Sequence, residues 1–100
     1  IYCAPNQVDA ELASFVAMTK EVYAAFGFER VEVSVQTRPE KFLGTVEQWD
    51  AAEAALQTAA ASTGYPVTVL PGEGAFYGPK IGFDFRDALD RSWTLSTVQI

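Results

Sequence analysis

Apolar residues recur at intervals of three and four between Val8 and Phe26, a spacing that predicts an amphipathic helix. Asn6 is placed to cap the start of this helix with its side-chain oxygen. Gly27 follows the last apolar position, where helices commonly end in a left-handed residue. The pattern therefore predicts a first helix over residues 8–26 that turns one face to a core.

A second helix is predicted after Thr45, because Thr45 and Gln48 form the sequence pattern of a capping box. The helix should end at Gly64. Its apolar face comprises Trp49, Ala52, Leu56, Ala59, Ala60 and Thr63. The alanines permit close packing on a sheet, and Trp49 is interpreted as an anchor between helix and sheet, with a ligand platform as the alternative.

Shorter segments alternate between apolar and polar residues, which is the period of strands with one face on a core. The chain begins in Ile-Tyr-Cys-Ala, which indicates a strand already at the N-terminus. Further strands are predicted over residues 30–37, 67–70, 81–86 and 93–100, with Asp90 and Arg91 near a hairpin tip. The order of elements predicts an α+β fold in which an antiparallel sheet is flanked by two helices.

Strict alternation assigns side chains to the two faces of the last two strands. Lys80, Gly82, Asp84 and Arg86 should share a polar face, and Ile81, Phe83 and Phe85 should face the core. On the last strand, Trp93, Leu95, Thr97 and Gln99 should lie together, with Thr94 on the opposite side. The polar face is therefore the candidate site, although an ordinary solvated surface is the alternative.

Composition excludes several kinds of chemistry. The 100 residues are 49% hydrophobic, as in a chain that buries a core, and they include a single cysteine and no histidine. An internal disulfide, a Cys/His metal cluster and a histidine base are therefore excluded. A net charge of −6, with seven scattered Lys and Arg residues, predicts no independent binding of nucleic acid. No apolar stretch is long enough for a membrane span, so we expect a cytoplasmic protein without a membrane partner.

The segment from Gly72 to Lys80, Gly-Glu-Gly-Ala-Phe-Tyr-Gly-Pro-Lys, combines three glycines, two aromatic residues and one cation. Such glycines take positive φ or allow another backbone to approach closely. Tyr77 and Lys80 would then be positioned donors at a ligand pocket. The alternatives are a plain turn between strands and, for Tyr77, a core aromatic whose hydroxyl is satisfied.

Three ordered blocks of sequence carry a resemblance to a known family. The runs QTRPEKFLG with EQWDAAEAAL, GEGAFYGPKIGFDF, and STVQI are similar in order and spacing to the catalytic domain of the threonyl-tRNA synthetases, which are class II aminoacyl-tRNA synthetases. The likeness extends over residues 1–100. It implies a single partial domain, the central part of that catalytic core, cut from a longer protein.

The resemblance also implies site residues. Tyr77, Lys80, Thr97 and Gln99 match the positions that border the pocket where threonine is activated by ATP, and Ala75 lines the same turn. Lys80 is the expected catalytic group, because a cation stabilises the charge that develops on phosphate. Ala75, Tyr77, Thr97 and Gln99 are the expected substrate-binding residues.

Cofactors and partners implied by the resemblance belong to the longer protein. They are threonine, ATP with magnesium, tRNA, a zinc ion whose ligands lie outside residues 1–100, and a second subunit in a possible homodimer. Cys3 does not match the zinc-binding cysteine of the family. The chain alone is therefore expected to be inactive.

Two positions depart from the resemblance. Gly82 stands where relatives commonly have an acidic residue, and Thr94 stands where they commonly have glutamine. Contact of Thr94 with a nucleotide would require a bulge in the last strand. These differences favour the alternative of a non-catalytic paralogue that binds threonine or regulates. Arg38, Glu40 and Lys41 are interpreted as a solvated turn without an assigned function.

Overall fold

Two helices lie on one face of a four-stranded sheet in the computed structural model, which describes residues 1–100. A short 3-10 turn, Pro5–Gln7, leads into the first helix. The elements in chain order are α1 (Val8–Ala25), β1 (Val31–Gln36), α2 (Val46–Ser62), β2 (Val67–Leu70), β3 (Lys80–Arg86) and β4 (Ser92–Gln99). Both predicted helices and the four internal strands are confirmed. Neither helix contains a stretch apolar and long enough to cross a bilayer.

The end of α1 follows the sequence prediction, but its start does not. Gly27 has φ 70°, the amide of Phe28 donates to the Tyr23 carbonyl at 2.9 Å, and the Phe28 and Tyr23 rings pack together. The prediction that Asn6 caps the helix is wrong, because no side chain caps α1. Residues 5–7 already form a turn there, and Gln7 Oε1 accepts the amide of Ala4 at 2.8 Å.

The start of α2 confirms the capping box. The amide of Gln48 donates to Thr45 Oγ1 at 3.2 Å, and the amide of Thr45 donates to Gln48 Oε1 at 3.0 Å. Two of the helix-terminal groups are thereby satisfied locally, which contributes about 1 kcal/mol for such a cap.

The sheet has the order β2-β1-β3-β4 and is mixed, so the prediction of an antiparallel sheet is wrong. Strands β1 and β2 are parallel, whereas β1 with β3 and β3 with β4 are antiparallel. The cause is α2, which connects β1 to β2 as a crossover and returns the chain to the same end of the sheet.

The predicted strand at the N-terminus is also absent. Residues 1–4 adopt no regular structure, and no backbone group of Ile1, Tyr2 or Cys3 is hydrogen-bonded to the sheet. Pro5 begins the turn that directs the chain into α1. Alternating sequence without a pairing edge does not form a strand.

The core lies between the helices and the apolar face of β1 and β3. Its members are Leu12, Val16, Tyr23, Val31, Val33, Val35, Leu56, Ala59, Ala60, Ile81 and Phe83. Each large side chain buried here contributes about 1.5–3 kcal/mol to folding. Both helices cover this one face, and the opposite face of the sheet carries polar residues.

A bulge changes which residues of β4 share a face. Phe83 pairs with Ser96 and Asp84 pairs with Thr94, so Leu95 is the extra residue. Trp93 lies opposite Phe85, on the core side of β3. The prediction that Trp93 shares a face with Thr97 and Gln99 is therefore wrong. Thr94 joins the polar face instead, and its hydroxyl donates to Asp84 Oδ1 at 2.7 Å.

The hairpin between β3 and β4 is organised by Asp87. Its Oδ1 accepts the amides of Leu89 and Arg91, both at 2.9 Å, and its Oδ2 accepts Trp93 Nε1 at 3.0 Å and Arg91 Nε at 2.7 Å. The bond from Trp93, followed by that from the Arg91 amide, lowers the pKa of Asp87 far below its ordinary value of 3.8. The carboxylate thus favours the folded state above that value and loses this contribution as the pH falls below it.

We expect Asp87→Asn to lower the thermal midpoint at pH 7, because the charge that receives Arg91 and Trp93 is lost. The difference from the unmodified chain should shrink as the pH falls from 4 to 2, because Asp87 then becomes protonated in the unfolded chain while it stays ionised in the folded one. Thermal unfolding followed by circular dichroism measures both effects. Glu21→Gln, on the exposed side of α1, is the control, and a pH-independent difference for Asp87→Asn would contradict this account.

Candidate functional site

The face of the sheet opposite the helices carries three rows of side chains that run across β1, β3 and β4. Cross-strand pairing sets these rows, because directly opposite residues point to the same side. We define the polar face as the rows Gln36–Lys80–Gln99, Ser34–Gly82–Thr97 and Glu32–Asp84–Thr94. Position 82 is glycine, so the middle row carries side chains only at Ser34 and Thr97.

Charge is distributed unevenly over the polar face. At one end Arg86 lies 3.4 Å from Glu32, and Asp84 accepts the Thr94 hydroxyl. At the other end Lys80 is half-buried and takes part in none of the five ion pairs of the chain. The row that contains Lys80 therefore presents a cation between two side-chain amides.

The segment between β2 and β3, residues 71–79, is called here the glycine turn. The amide of Gly78 donates to the Ala75 carbonyl at 3.2 Å, which places Phe76 and Tyr77 at the tip. Their rings are 5.0 Å apart and perpendicular, and 61% of the Tyr77 surface is exposed. The alternative that Tyr77 is a core aromatic is therefore wrong.

The glycine turn is packed against backbone on two sides. A Cβ atom on Gly74 would lie 2.5 Å from the Thr37 carbonyl oxygen, and one on Gly78 would lie 1.8 Å from the Ile100 carbonyl oxygen. Neither glycine has a positive φ, whereas Gly72 has φ 77°. Close approach, not left-handed backbone, is what requires glycine at positions 74 and 78.

Three of the predicted site residues come together. Lys80 and Gln99 are direct cross-strand partners, Thr97 lies one row away, and Gln99 Nε2 donates to the Gly78 carbonyl at 3.1 Å. The amide of Gln99 thus links the polar face to the glycine turn.

Ala75 and Tyr77 lie apart from those three, in the glycine turn. Tyr77 lines an open groove of about 340 Å³ whose other walls come from α2 and the segment before it. The lining also includes Leu43, Gly44, Gln48, Trp49, Ala52, Gly78, Pro79 and Ile100. The structure therefore divides the predicted residues between the polar face and the glycine turn, and of the two in the turn Tyr77 lines the groove.

Our sequence reasoning missed Ser34 and Gln36. Both are half-buried residues of β1 on the polar face, beside Gly82 and Lys80. The available signal was the alternation of β1, which places its polar residues on the face opposite Val33 and Val35.

Known proteins are similar to this chain in both sequence and fold. No family model matches it. All 100 residues are 50% identical to part of the threonine–tRNA ligase of Azoarcus sp. (strain BH72) and 49% identical to part of that of Aromatoleum aromaticum, and the chain covers 16% of each.

Solved structures resemble it as well, and two of them illustrate the likeness. One, described as the RNA binding domain of threonyl-tRNA synthetase from Cryptosporidium parvum Iowa II, has a TM-score of 0.89 and 39% identity over 99% of this chain and 24% of its own. The other is a putative threonyl-tRNA synthetase from Aeropyrum pernix, with a TM-score of 0.79 and 27% identity over 92% of this chain and 23% of its own.

These likenesses, over the whole chain, make it homologous to a segment of an aminoacyl-tRNA ligase. Within that class, its relatives are the threonine–tRNA ligases. The chain spans about one-sixth of the length of those relatives. Neither comparison assigns this segment to a catalytic domain. The description of the first solved structure as an RNA binding domain contradicts our expectation that such a piece has no nucleic-acid binding of its own.

We expect Gly74→Ala to destabilise the chain by about 2–3 kcal/mol, because its Cβ would have to displace the backbone of Thr37. Gly82→Ala is the matched control, since its Cβ would meet side-chain atoms and no backbone: the Ser34 hydroxyl at 3.0 Å and Gln36 Nε2 at 3.7 Å. Urea unfolding of both variants measures the difference. Equal stability of the two variants would show that the glycine turn is not held against residue 37.

Proposed function

We propose that this chain is the part of a threonine–tRNA ligase whose polar face forms one wall of the pocket where threonine is activated with ATP. The observation that supports this most directly is Lys80. It is half-buried, lacks a carboxylate partner, and lies between Gln36 and Gln99 at the junction of the sheet with the glycine turn. An uncompensated cation in such a position suits an anionic ligand.

The proposed reaction has two steps. An oxygen of the threonine carboxylate attacks the α-phosphate of ATP, and pyrophosphate leaves; a tRNA hydroxyl then attacks the carbonyl carbon, and AMP leaves. Both steps depend on placement and charge stabilisation more than on covalent chemistry by the protein. Lys80 would stabilise negative charge on phosphate oxygens.

Polar and aromatic groups around Lys80 would hold the amino acid. The Thr97 hydroxyl and the Gln99 amide can each donate and accept hydrogen bonds. Gln99 is already oriented by its bond to the Gly78 carbonyl. Ala75 and Tyr77 would border the threonine from the glycine turn, where the small side chain of Ala75 leaves room and the exposed Tyr77 hydroxyl can reach a ligand.

The residues present do not form a zinc site. No three His, Cys, Asp or Glu side chains lie close enough together to hold a metal ion, and Cys3 is exposed. No step through zinc is therefore proposed for this chain. Groups of the longer protein would have to complete the pocket, so we propose that residues 1–100 alone do not form threonyl-adenylate.

Contact with tRNA is a second candidate function, favoured by the description of the solved neighbour as an RNA binding domain. Charge limits how strong this contact can be. All four arginines are paired with carboxylates, in the pairs Arg30–Asp90, Arg38–Asp50, Arg86–Glu32 and Arg91–Asp87. Three lysines remain for phosphate contacts, in a chain of net charge −6.

We expect Lys80→Met in the full-length ligase to reduce kcat for threonine-dependent ATP–pyrophosphate exchange by about 100-fold, the usual effect of removing one group that stabilises the transition state. Lys20→Met, on the exposed side of α1, is the control and should leave the rate unchanged. Full exchange by Lys80→Met would exclude Lys80 from the reaction. Pyrophosphate exchange by the isolated 100-residue chain would show that threonyl-adenylate forms without groups from the rest of the ligase.

Binding of fluorescent tRNA to the isolated chain tests the second candidate. Because three lysines lack an ion-pair partner, we expect the isolated chain to bind tRNA with a plot of log Kd against log salt whose slope is no steeper than about 3. Fluorescence anisotropy between 50 and 200 mM salt measures Kd and this slope. Micromolar binding at 150 mM salt would favour an RNA-binding role over the activation pocket.

A further inference from the structure

Trp49 connects α2 to the segment that precedes the helix. We define residues 37–44 as the bridging loop. The indole Nε1 of Trp49 donates to the Leu43 carbonyl at 2.7 Å, and the ring packs edge-on against Phe42, with centroids 5.8 Å apart. Trp49 is 4% exposed, yet it does not belong to the core cluster between helices and sheet. The interpretation of Trp49 as an anchor between helix and sheet is therefore wrong.

The bridging loop in turn holds the glycine turn. The amide of Leu43 donates to the Phe76 carbonyl at 2.9 Å, and the amide of Gly74 donates to the Thr37 carbonyl at 2.8 Å. Leu43 thus uses its carbonyl for Trp49 and its amide for Phe76, the residue before Tyr77. A continuous path of hydrogen bonds joins α2 to the tip of the glycine turn.

The first half of the bridging loop has its own attachment to α2. The amide of Arg38 donates to Glu53 Oε1 at 2.7 Å, and its guanidinium lies 3.3 Å from Asp50 and over the Phe42 ring. Arg38 is thus a structural residue. The interpretation of Arg38 as part of a solvated turn without a function is therefore wrong. Both halves of the bridging loop are fixed to one rigid helix.

We infer that Trp49 is a positioning residue for the amino-acid pocket, which it serves by fixing Leu43 and, through Leu43, the backbone of Phe76 and Tyr77. This inference rests on the proposed function for its effect on activity, but its structural part stands on the hydrogen bonds alone. Tyr77 is exposed and not held by burial in the core, so its position depends on the backbone on either side.

Trp49→Phe removes the indole donor and keeps an aromatic ring beside Phe42. In the isolated chain, we expect amide hydrogen exchange at Leu43 and Gly74 to become at least about tenfold faster, because the bridging loop opens more often. Exchange within the β1–β3 ladder should remain unchanged. The matched control is Trp93→Phe, which removes an indole bond at the hairpin, far along the chain from the glycine turn. Unchanged exchange at Leu43 in Trp49→Phe would overturn the inference.

Kinetics of the full-length ligase separate positioning from a general loss of stability. Trp49→Phe should raise KM for threonine in pyrophosphate exchange about three- to tenfold, the factor expected for one lost hydrogen bond. KM for ATP and kcat should stay within about twofold, because Lys80 keeps its strand position. Trp93→Phe should change none of the three constants. A change in kcat alone, or equal changes in both variants, would overturn the inference.

Two further comparisons keep the test decisive. If Trp49→Phe does not fold, Arg38→Gln opens the first half of the bridging loop at a surface contact and should raise KM for threonine in the same direction. An unchanged KM in that variant would count against the inference. Absence of ATP–pyrophosphate exchange by the unmodified ligase would instead refute the proposed function. Amide hydrogen exchange in Trp49→Phe would then decide by itself whether Trp49 holds the bridging loop.

Discussion

The placement of both helices on one face of the sheet is the constraint on which the rest of the structure depends. Val31, Val33 and Val35 are buried beneath the helices, together with Ile81 and Phe83 of the adjacent strand. Because side chains alternate along a strand, burial of these residues fixes every intervening side chain on the opposite face. A one-residue slip of β1 against β3 would exchange the two sets, so the same apolar contacts that stabilise the fold also assemble the polar face.

Local signals in the sequence were sufficient for most elements of this fold. The capping box at Thr45 and the left-handed Gly27 act within a few residues of themselves, and both are found as predicted. Alternation likewise identified β1 and β3 and the side to which Lys80 points. These features depend on residues that are close together along the chain, so the sequence alone is sufficient to predict them.

Pairing between distant segments was not accessible in the same way. The parallel alignment of β1 with β2 arises because α2 returns the chain to the same end of the sheet, and the bulge in β4 appears as a shift in its register against Asp84. Trp49 was misassigned because an apolar residue on a helix face does not reveal whether a sheet or a loop covers it. The hydrogen bond to Leu43 depends on how the bridging loop folds back, which no periodicity encodes.

Thr94 and Gly82, the two positions that depart from the family resemblance, can be interpreted from the structure of the sheet. The bulge brings Thr94 onto the polar face, where strict alternation would have excluded it, but the Thr94 hydroxyl donates to Asp84. At Gly82 a side chain would begin 3.0 Å from Ser34 Oγ, and the neighbours of this glycine in the middle row are the hydroxyl residues Ser34 and Thr97. In the proposed pocket, polar contacts in the middle row would therefore come from these two hydroxyls and not from a carboxylate at position 82. Without a negative charge there, the field of Lys80 is less compensated, which favours an anionic substrate on this face over a cationic one.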